Sequence, residues 1–366
     1  MPTVPAETHR PPQAMHRPIR VLIVDDSPLV REILTKGLAG DPHLEVVGVA
    51  EDAIEAQKMI EMTSPDVMTL DVEMPKLDGV SFLRMLMPIR PLPVVMVSAL
   101  TERGQKITLD ALEAGAVDFV TKPTGDLATG LADMMMELRT KVKIASVANV
   151  SHWKHRRSQV PVPAPGKVSK AQPSMAPTEW VIAIGASTGG TEAIREVVCG
   201  LPQDVPGVVI VQHMPAGFTT LYAKRLNEDC ALEVKEAQDG DMVLQGRVLL
   251  APGAHHMQLI RTGAHYQVRV FKGEKVNGHC PSVEVLMRSV AKLAGKRAVG
   301  VMLTGMGGDG SEGLLAMRQA GARTLAQDEA SCVVFGMPKV AWEKGAVEKL
   351  MPLQALAHEI TELYNK

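Results

Sequence analysis

Aromatic side chains are scarce, with three Trp, three Tyr and five Phe in 366 residues, and the net charge is −2 with no long basic run. That excludes the basic, stacking surface on which nucleic-acid binders depend. No basic recognition helix or helix-turn-helix pattern suggests a DNA-binding output either. The four cysteines, Cys199, Cys230, Cys280 and Cys332, lie far apart and form no CxxC pair. They are expected to be buried free thiols in a reducing compartment. No apolar run is long enough to span a bilayer. The first residues carry Pro, His and Arg in place of an apolar signal-peptide core. A cytoplasmic protein with no direct membrane insertion is expected. No repeat of solenoid period occurs.

The chain has an ordinary soluble composition, 46% hydrophobic and 22% charged, and a length that suits two domains with real cores. Periodicity fails from Ser146, where a basic cluster, His152–Arg157, precedes the Pro-, Ser- and Ala-rich stretch VPVPAPGKVSKAQPSMAP. Such a stretch reads as a semi-extended tether, and its basic cluster as a solvated run. The chain therefore divides into a flexible arm (1–18), a first domain (19–143), a Pro-rich linker (144–177) and a second domain (178–366).

In the first domain, strand-like runs at Val21–Val24, Glu45–Ala50, Val67–Leu70, Val94–Val97 and Asp118–Val120 alternate with amphipathic stretches such as Leu29–Leu38 and Ala53–Met62. Five β/α units predict an α/β fold, a doubly wound, flavodoxin-like five-stranded parallel sheet with helices on both faces. Ligands of such sheets bind at the carboxyl ends of the strands. Asp25 and Asp26 follow the first strand, Asp71 the third, Ser98 the fourth and Lys122 the fifth. Three converging carboxylates make a hard-oxygen site suited to Mg²⁺. A lysine and a hydroxyl opposite them complement the oxygens of a phosphoryl group. This pattern resembles the receiver domains of bacterial response regulators across the whole first domain, most tellingly at Asp71-Val-Glu-Met-Pro-Lys-Leu-Asp-Gly79. The resemblance implies that Asp71 accepts phosphate from a histidine kinase. It also implies that Asp26 and Asp71, with Asp25 acting through water, hold Mg²⁺. Lys122 would contact the phosphoryl group, and Ser98 and Phe119 would be the positions that switch.

The second domain is organised around WVIAIGASTGGTE, residues 180–192. A buried strand, Val181–Ile184, runs into glycines that bracket Ser187. A helical pattern then continues to the stop at Gly200 and Pro202. The sharp turn exposes one hydroxyl beside the N–H groups of a helix N-terminus and satisfies G-x-S-x-G. Alone, it is as compatible with a phosphate cradle or a plain turn. A second strand, Gly207–Val211, ends at His213, and a third, Ala298–Leu303, ends in a glycine-rich loop holding Asp309, with a helix at Glu312–Gln319. Ser, His and Asp thus converge on one rim of a mostly parallel sheet. A serine hydroxyl needs a base, which His213 can supply, and Asp309 can fix the imidazole tautomer. The chain order, Ser–His–Asp, differs from that of α/β-hydrolases. His255, His256 and His279 have no metal-chelating spacing, so no zinc site and no cofactor is expected in this domain.

Six motifs together resemble the chemotaxis protein-glutamate methylesterase family, CheB. They are GASTGG (185–190), QHMP (212–215), APG (251–253), NGHCPSVE (277–284), LTGMGGDG (303–310) and AQDEASCVVFGMP (326–338). Met287, where an aromatic is expected, departs from the pattern without touching the chemistry. The resemblance implies a triad of Ser187, His213 and Asp309, with backbone N–H groups near Thr188 and Met306 for the oxyanion. It also implies methylated chemoreceptors as substrate, a chemotaxis histidine kinase as phosphodonor, and methylesterase and glutaminase activities. The fused receiver is expected to pack over the Ser187 rim until Asp71 is phosphorylated. The rival readings are a phosphorylation-gated, non-enzymatic binding regulator and a hydrolase of small esters that has borrowed a receiver.

Overall fold

A computed structural model describes residues 17–99, 101–123, 127–158 and 174–365. The expected N-terminal arm and most of the expected tether, 159–173, lie outside the described residues.

The first half alternates β1 (Ile19–Val24), α1 (Pro28–Ala39), β2 (Leu44–Ala50), α2 (Ala53–Thr63), β3 (Val67–Asp71), α3 (Gly79–Leu86), β4 (Val94–Ser98), α4 (Glu102–Glu113), β5 (Asp118–Thr121) and α5 (Leu127–Ala145). The strands lie in the order β2-β1-β3-β4-β5, all parallel. Because helices cover both faces, the inner strands are continuous β-branched and aliphatic runs in place of alternating ones; β3 and β4 are buried throughout. Helices begin where short polar side chains cap them, Ser27 on the Val30 N–H and Asp52 on the N–H groups of Ile54 and Glu55.

The second half contains β6 (Ser174–Pro177), β7 (Val181–Ala186), α6 (Gly190–Gly200), β8 (Gly207–Gln212), α7 (Phe218–Asp229), β9 (Glu233–Glu236), β10 (Leu244–Gln245), β11 (Arg247–Leu250), β12 (His256–Thr262) and β13 (His265–Phe271). There follow α8 (Val283–Leu293), β14 (Ala298–Met302), α9 (Ser311–Gln319), β15 (Arg323–Gln327), α10 (Met337–Glu343), β16 (Lys349–Met351) and α11 (Leu353–Tyr364). Seven strands pair in parallel in the order β16-β15-β14-β7-β8-β11-β9. The chain leaves β7 towards β8 on one side, and β14 later joins β7 on the other. The carboxyl end of β7 is therefore a topological switch point, where such sheets place their sites. An antiparallel hairpin, β12–β13, stands apart from the main sheet.

Two sequence expectations need correction. Cys199 and Cys230 form a disulfide, so the thiols are not all free. Helix packing brings the two cysteines together: Tyr222 of α7 donates to the Thr191 carbonyl of α6 at 2.7 Å, and Arg195 pairs with Asp229 at 2.8 Å. Cys199 lies one turn beyond Arg195 and Cys230 next to Asp229, a closeness that their separation of 31 residues does not reveal. Cys332 is a buried free thiol and Cys280 is partly exposed. The linker, too, is structured at both ends. Ser151–Ser158 form a 3-10 helix with Trp153 packed on the core, and Ser174–Pro177 pair antiparallel with Leu244–Gln245.

The two halves meet through β5 and α4 of the first and the loops and helices after β7 and β8 of the second. The Phe119 and Phe218 rings lie 4.4 Å apart, and the Thr188 hydroxyl donates to Asp118 Oδ2 at 2.7 Å. Arg225 of α7 pairs with Asp110 and, at 3.4 Å, with Glu113 of α4. The Asn149 N–H donates to the Val333 carbonyl at 2.8 Å.

Candidate active site

Parallel register aligns the ends of the three strands that lead to Ser187, His213 and Asp309. Gly185 of β7 pairs with Met302 of β14 and Val211 of β8, and Ala186 pairs with Gln212. One step further, the His213 N–H donates to the Ala186 carbonyl at 3.1 Å, and the Ser187 N–H donates to Thr304 O at 3.0 Å. Ser187 and His213 are thus the first residues beyond adjacent strand ends. The loop after β14 lies against Ser187 only because residue 305 is glycine: a Cβ there would stand 2.7 Å from the Ser187 Cβ. Gly189, at φ 77°, turns the chain from the serine into α6. The Gln212 amide clamps this turn by donating to Ser187 O at 2.9 Å.

His213 Nε2 hydrogen-bonds Asp309 Oδ2 at 2.8 Å. The other ring nitrogen, Nδ1, is buried and makes no hydrogen bond among the described residues. Nδ1 is therefore the nitrogen available as base. Asp309 is 3% exposed and accepts from four further groups. Asn277 Nδ2 donates at 2.9 Å, Ser282 Oγ at 2.8 Å, the Val283 N–H at 2.7 Å and the Glu284 N–H at 3.4 Å. The last two donors open α8, so the carboxylate also sits at the positive end of a helix dipole. Burial alone would raise its pKa, but the hydrogen bonds from His213, Asn277 and Ser282 and the nearby His213 charge hold it at about 2. Asp309 is therefore a carboxylate that fixes Nε2 of His213 as the protonated nitrogen. Thr188 is buried and Met306 is 46% exposed, and the backbone N–H groups of both make no hydrogen bond among the described residues.

The folded pKa of Asp309 lies below its ordinary 3.8, so its stabilisation is complete above about 3.8 and is lost as pH falls towards about 2. Melting temperature should fall across that window, and less steeply in an Asp309→Asn variant. Parallel acid profiles for the two proteins would contradict this.

Of the remaining histidines, His256 is buried, with Nε2 donating to Glu274 O at 2.8 Å and Nδ1 accepting from the Ser282 N–H at 3.3 Å. It holds the segment that delivers Ser282 to Asp309. His279 stacks on His213, with ring centroids 3.7 Å apart and planes 5° from parallel. Burial and the His213 charge push His279 down to about 4, against the pull of Asp309. Sequence pattern alone points to no role for Asn277, Ser282 or Gln212, and it brings His279 forward only as a candidate metal ligand.

In the first half, carboxylate oxygens of Asp25, Asp26 and Asp71 lie within 4.8 Å of one another. Lys122 Nζ is 3.0 Å from both Asp25 and Asp71. Burial raises the Asp71 pKa to about 6; Lys122 opposes this and Asp25 adds to it. A cleft of about 270 Å³ opens over Asp26, Asp71, Ser98 and Lys122. Ser98 is buried and accepts from Thr108 Oγ1 at 2.6 Å, while Phe119 is buried against Phe218 of the second half.

Residues 182–360 match the family described as CheB methylesterase, and residues 21–130 match the response regulator receiver domain. A Syntrophotalea carbinolica protein named protein-glutamate methylesterase/protein-glutamine glutaminase is 61% identical over 352 residues, 96% of this chain and 99% of the relative. The chain belongs to the CheB methylesterase family. A Pseudomonas aeruginosa relative named protein-glutamate methylesterase/protein-glutamine glutaminase 2 is 52% identical over 340 residues, covering 93% of this chain and 95% of its own. The crystal structure of the Thermotoga maritima CheB methylesterase catalytic domain matches with a TM-score of 0.50 and 35% identity. It covers 52% of this chain and 100% of that one. The two matched regions, 21–130 and 182–360, fall in the first and second halves described above. Among the described residues, no helix is long and apolar enough to cross a membrane.

Proposed function

We propose that this chain is a phosphorylation-activated protein-glutamate methylesterase that also deamidates receptor glutamines. The observation that carries the reading is the His213 ring, anchored through Nε2 on a buried carboxylate and placed on the strand end beside Ser187. In this reading the Ser187 hydroxyl attacks the carbonyl carbon of a γ-glutamyl methyl ester and its proton passes to His213 Nδ1. The imidazolium is stabilised by Asp309, and the oxyanion by the N–H groups of Thr188 and Met306. Collapse breaks the ester C–O bond, and the proton on Nδ1 goes to the departing methanol. Water, deprotonated by the same nitrogen, then releases glutamate and restores Ser187. With a glutamine substrate the leaving group is ammonia.

The substrates are methylated chemoreceptors and the phosphodonor is a chemotaxis histidine kinase, working in the cytoplasm without nucleic acid or membrane insertion. The signal enters at residues 19–143 and is delivered across residues 144–177 to the catalytic residues 178–366. Asp71 accepts the phosphoryl group. The oxygens of Asp25, Asp26 and Asp71 fit Mg²⁺, a hard cation that favours carboxylates. Bound there, Mg²⁺ would neutralise charge brought by the phosphoryl group, and Lys122 contributes a second positive charge. The link to the esterase is short. Asp118 holds the hydroxyl of Thr188, the neighbour of Ser187, and Phe119 packs on Phe218 at the start of α7. A shift of Ser98 and Phe119 on phosphorylation would loosen both contacts and open the Ser187 rim. Such a switch needs a difference of only a few kcal/mol between two states.

Asp71→Asn tests the switch. The variant should take up no acid-labile phosphate from a small phosphodonor and show no stimulation of methanol release, with its basal rate within about twofold of the parent. Full stimulation in this variant would refute the assignment of Asp71.

A further inference from the structure

Between β13 and α8 the chain makes a tight turn whose only two exposed central residues are Asn277 and Gly278. Val276 and His279 exchange both backbone N–H···O bonds at 3.0 Å, and Asn277 and Gly278 have φ of 52° and 85°. Positive φ at both central positions is the geometry for which Asn-Gly is the favoured pair. The turn sends two side chains to the catalytic residues. Asn277 reaches Asp309, and His279 lies flat against the face of His213.

That second contact answers a mechanical need. The χ2 torsion of histidine is broad and soft. Among the described residues His213 has one side-chain hydrogen bond, at Nε2, about which the ring can still rock. A plane pressed on its face removes that freedom. Among the described residues, the charged groups acting on His279 are His213, Asp309 and Lys275. Their combined effect with burial leaves His279 neutral at neutral pH, so it adds no charge against the imidazolium that forms on His213. A neutral aromatic face is also a favourable neighbour for a cation.

We propose that His279 is a positioning residue for the base, its flat ring holding the His213 imidazole in the plane that keeps Nε2 on Asp309 and presents Nδ1 to the Ser187 hydroxyl. The inference rests on the methylesterase reading above. His279 acts through the His213 ring on which it stacks. A flat neutral ring at this position should therefore serve nearly as well as imidazole.

The test is methanol release by the full chain from a methyl-esterified receptor fragment, with small phosphodonor and Mg²⁺ present, for the parent, His279→Ala, His279→Phe and Ser187→Ala. His279→Ala should lower kcat by about five- to tenfold with KM within about twofold. His279→Phe should restore kcat to within about threefold of the parent. Melting temperatures should show both variants folded, which separates loss of positioning from loss of structure. An unchanged kcat in His279→Ala would overturn the proposal, and so would equal losses in the Ala and Phe variants, because then the ring plane is not what matters. An inactive Ser187→Ala beside an unchanged His279→Ala overturns the positioning role alone. Parental turnover by Ser187→Ala would instead overturn the serine reading on which it rests.

Discussion

Ser187→Ala is expected to lower methanol release by about 10⁴- to 10⁶-fold while leaving melting temperature and phosphate uptake unchanged. The serine is half-buried, and its backbone is held from both sides by Thr304 and the Gln212 amide. Neither contact uses the hydroxyl, so alanine removes the nucleophile and little else. Whatever remains should come from the N–H groups of Thr188 and Met306 acting on a water-driven reaction, which is why the loss stops short of the uncatalysed rate. Parallel kinetics on a glutamine-bearing fragment should fall by a similar factor if, as proposed, both reactions pass through the same acyl-serine. Loss of one activity with retention of the other would contradict a shared nucleophile.

Asp309→Ala should be nearly as severe in rate and worse in stability. The carboxylate is the common acceptor for His213, Asn277, Ser282 and the first N–H groups of α8. Alanine leaves several buried donors unsatisfied, each at a cost of about 1–3 kcal/mol. It also frees His213 to adopt the wrong tautomer, with kcat expected to fall by about 10⁴-fold. Asp309→Asn separates the two effects. The amide keeps the shape and part of the hydrogen bonding but lacks the charge that stabilises the imidazolium. Its melting temperature should lie much closer to the parent, with kcat still down by at least about a hundredfold. An Asn variant with near-parental kcat would show that orientation, and not charge, is the contribution of Asp309.

The residues that follow long apolar runs were legible in the sequence, because a buried parallel strand announces itself and its carboxyl end is where chemistry collects. In the structure Ser187, His213 and Lys122 directly follow β7, β8 and β5, Asp71 closes β3, and Asp309 lies in the loop between β14 and α9. What stayed hidden is delivered by tertiary routes. Asn277 and His279 reach the triad from a turn beyond a separate hairpin, and nothing local in the sequence says which way that hairpin folds. The Asn-Gly pair announces a turn, but not what the turn supports. Cys199 and Cys230 meet because two helices pack side by side, and their spacing carries no trace of it. The Ser174–Pro177 strand has no apolar alternation of its own and exists by pairing with Leu244–Gln245. The contact of Thr188 with Asp118 depends on how the two sheets dock, a relation that neither half's periodicity encodes.

The most direct test of the central claim is methanol release from a methylated receptor fragment by the full chain, measured with and without a small phosphodonor plus Mg²⁺. The expected result is slow release alone and a marked rise with the donor, abolished by Asp71→Asn and by Ser187→Ala. Release indifferent to the donor would leave an esterase whose contacts between Asp118 and Thr188 and between Phe119 and Phe218 do not gate it. No release from folded, phosphorylated protein would contradict the account outright and point to a binding regulator.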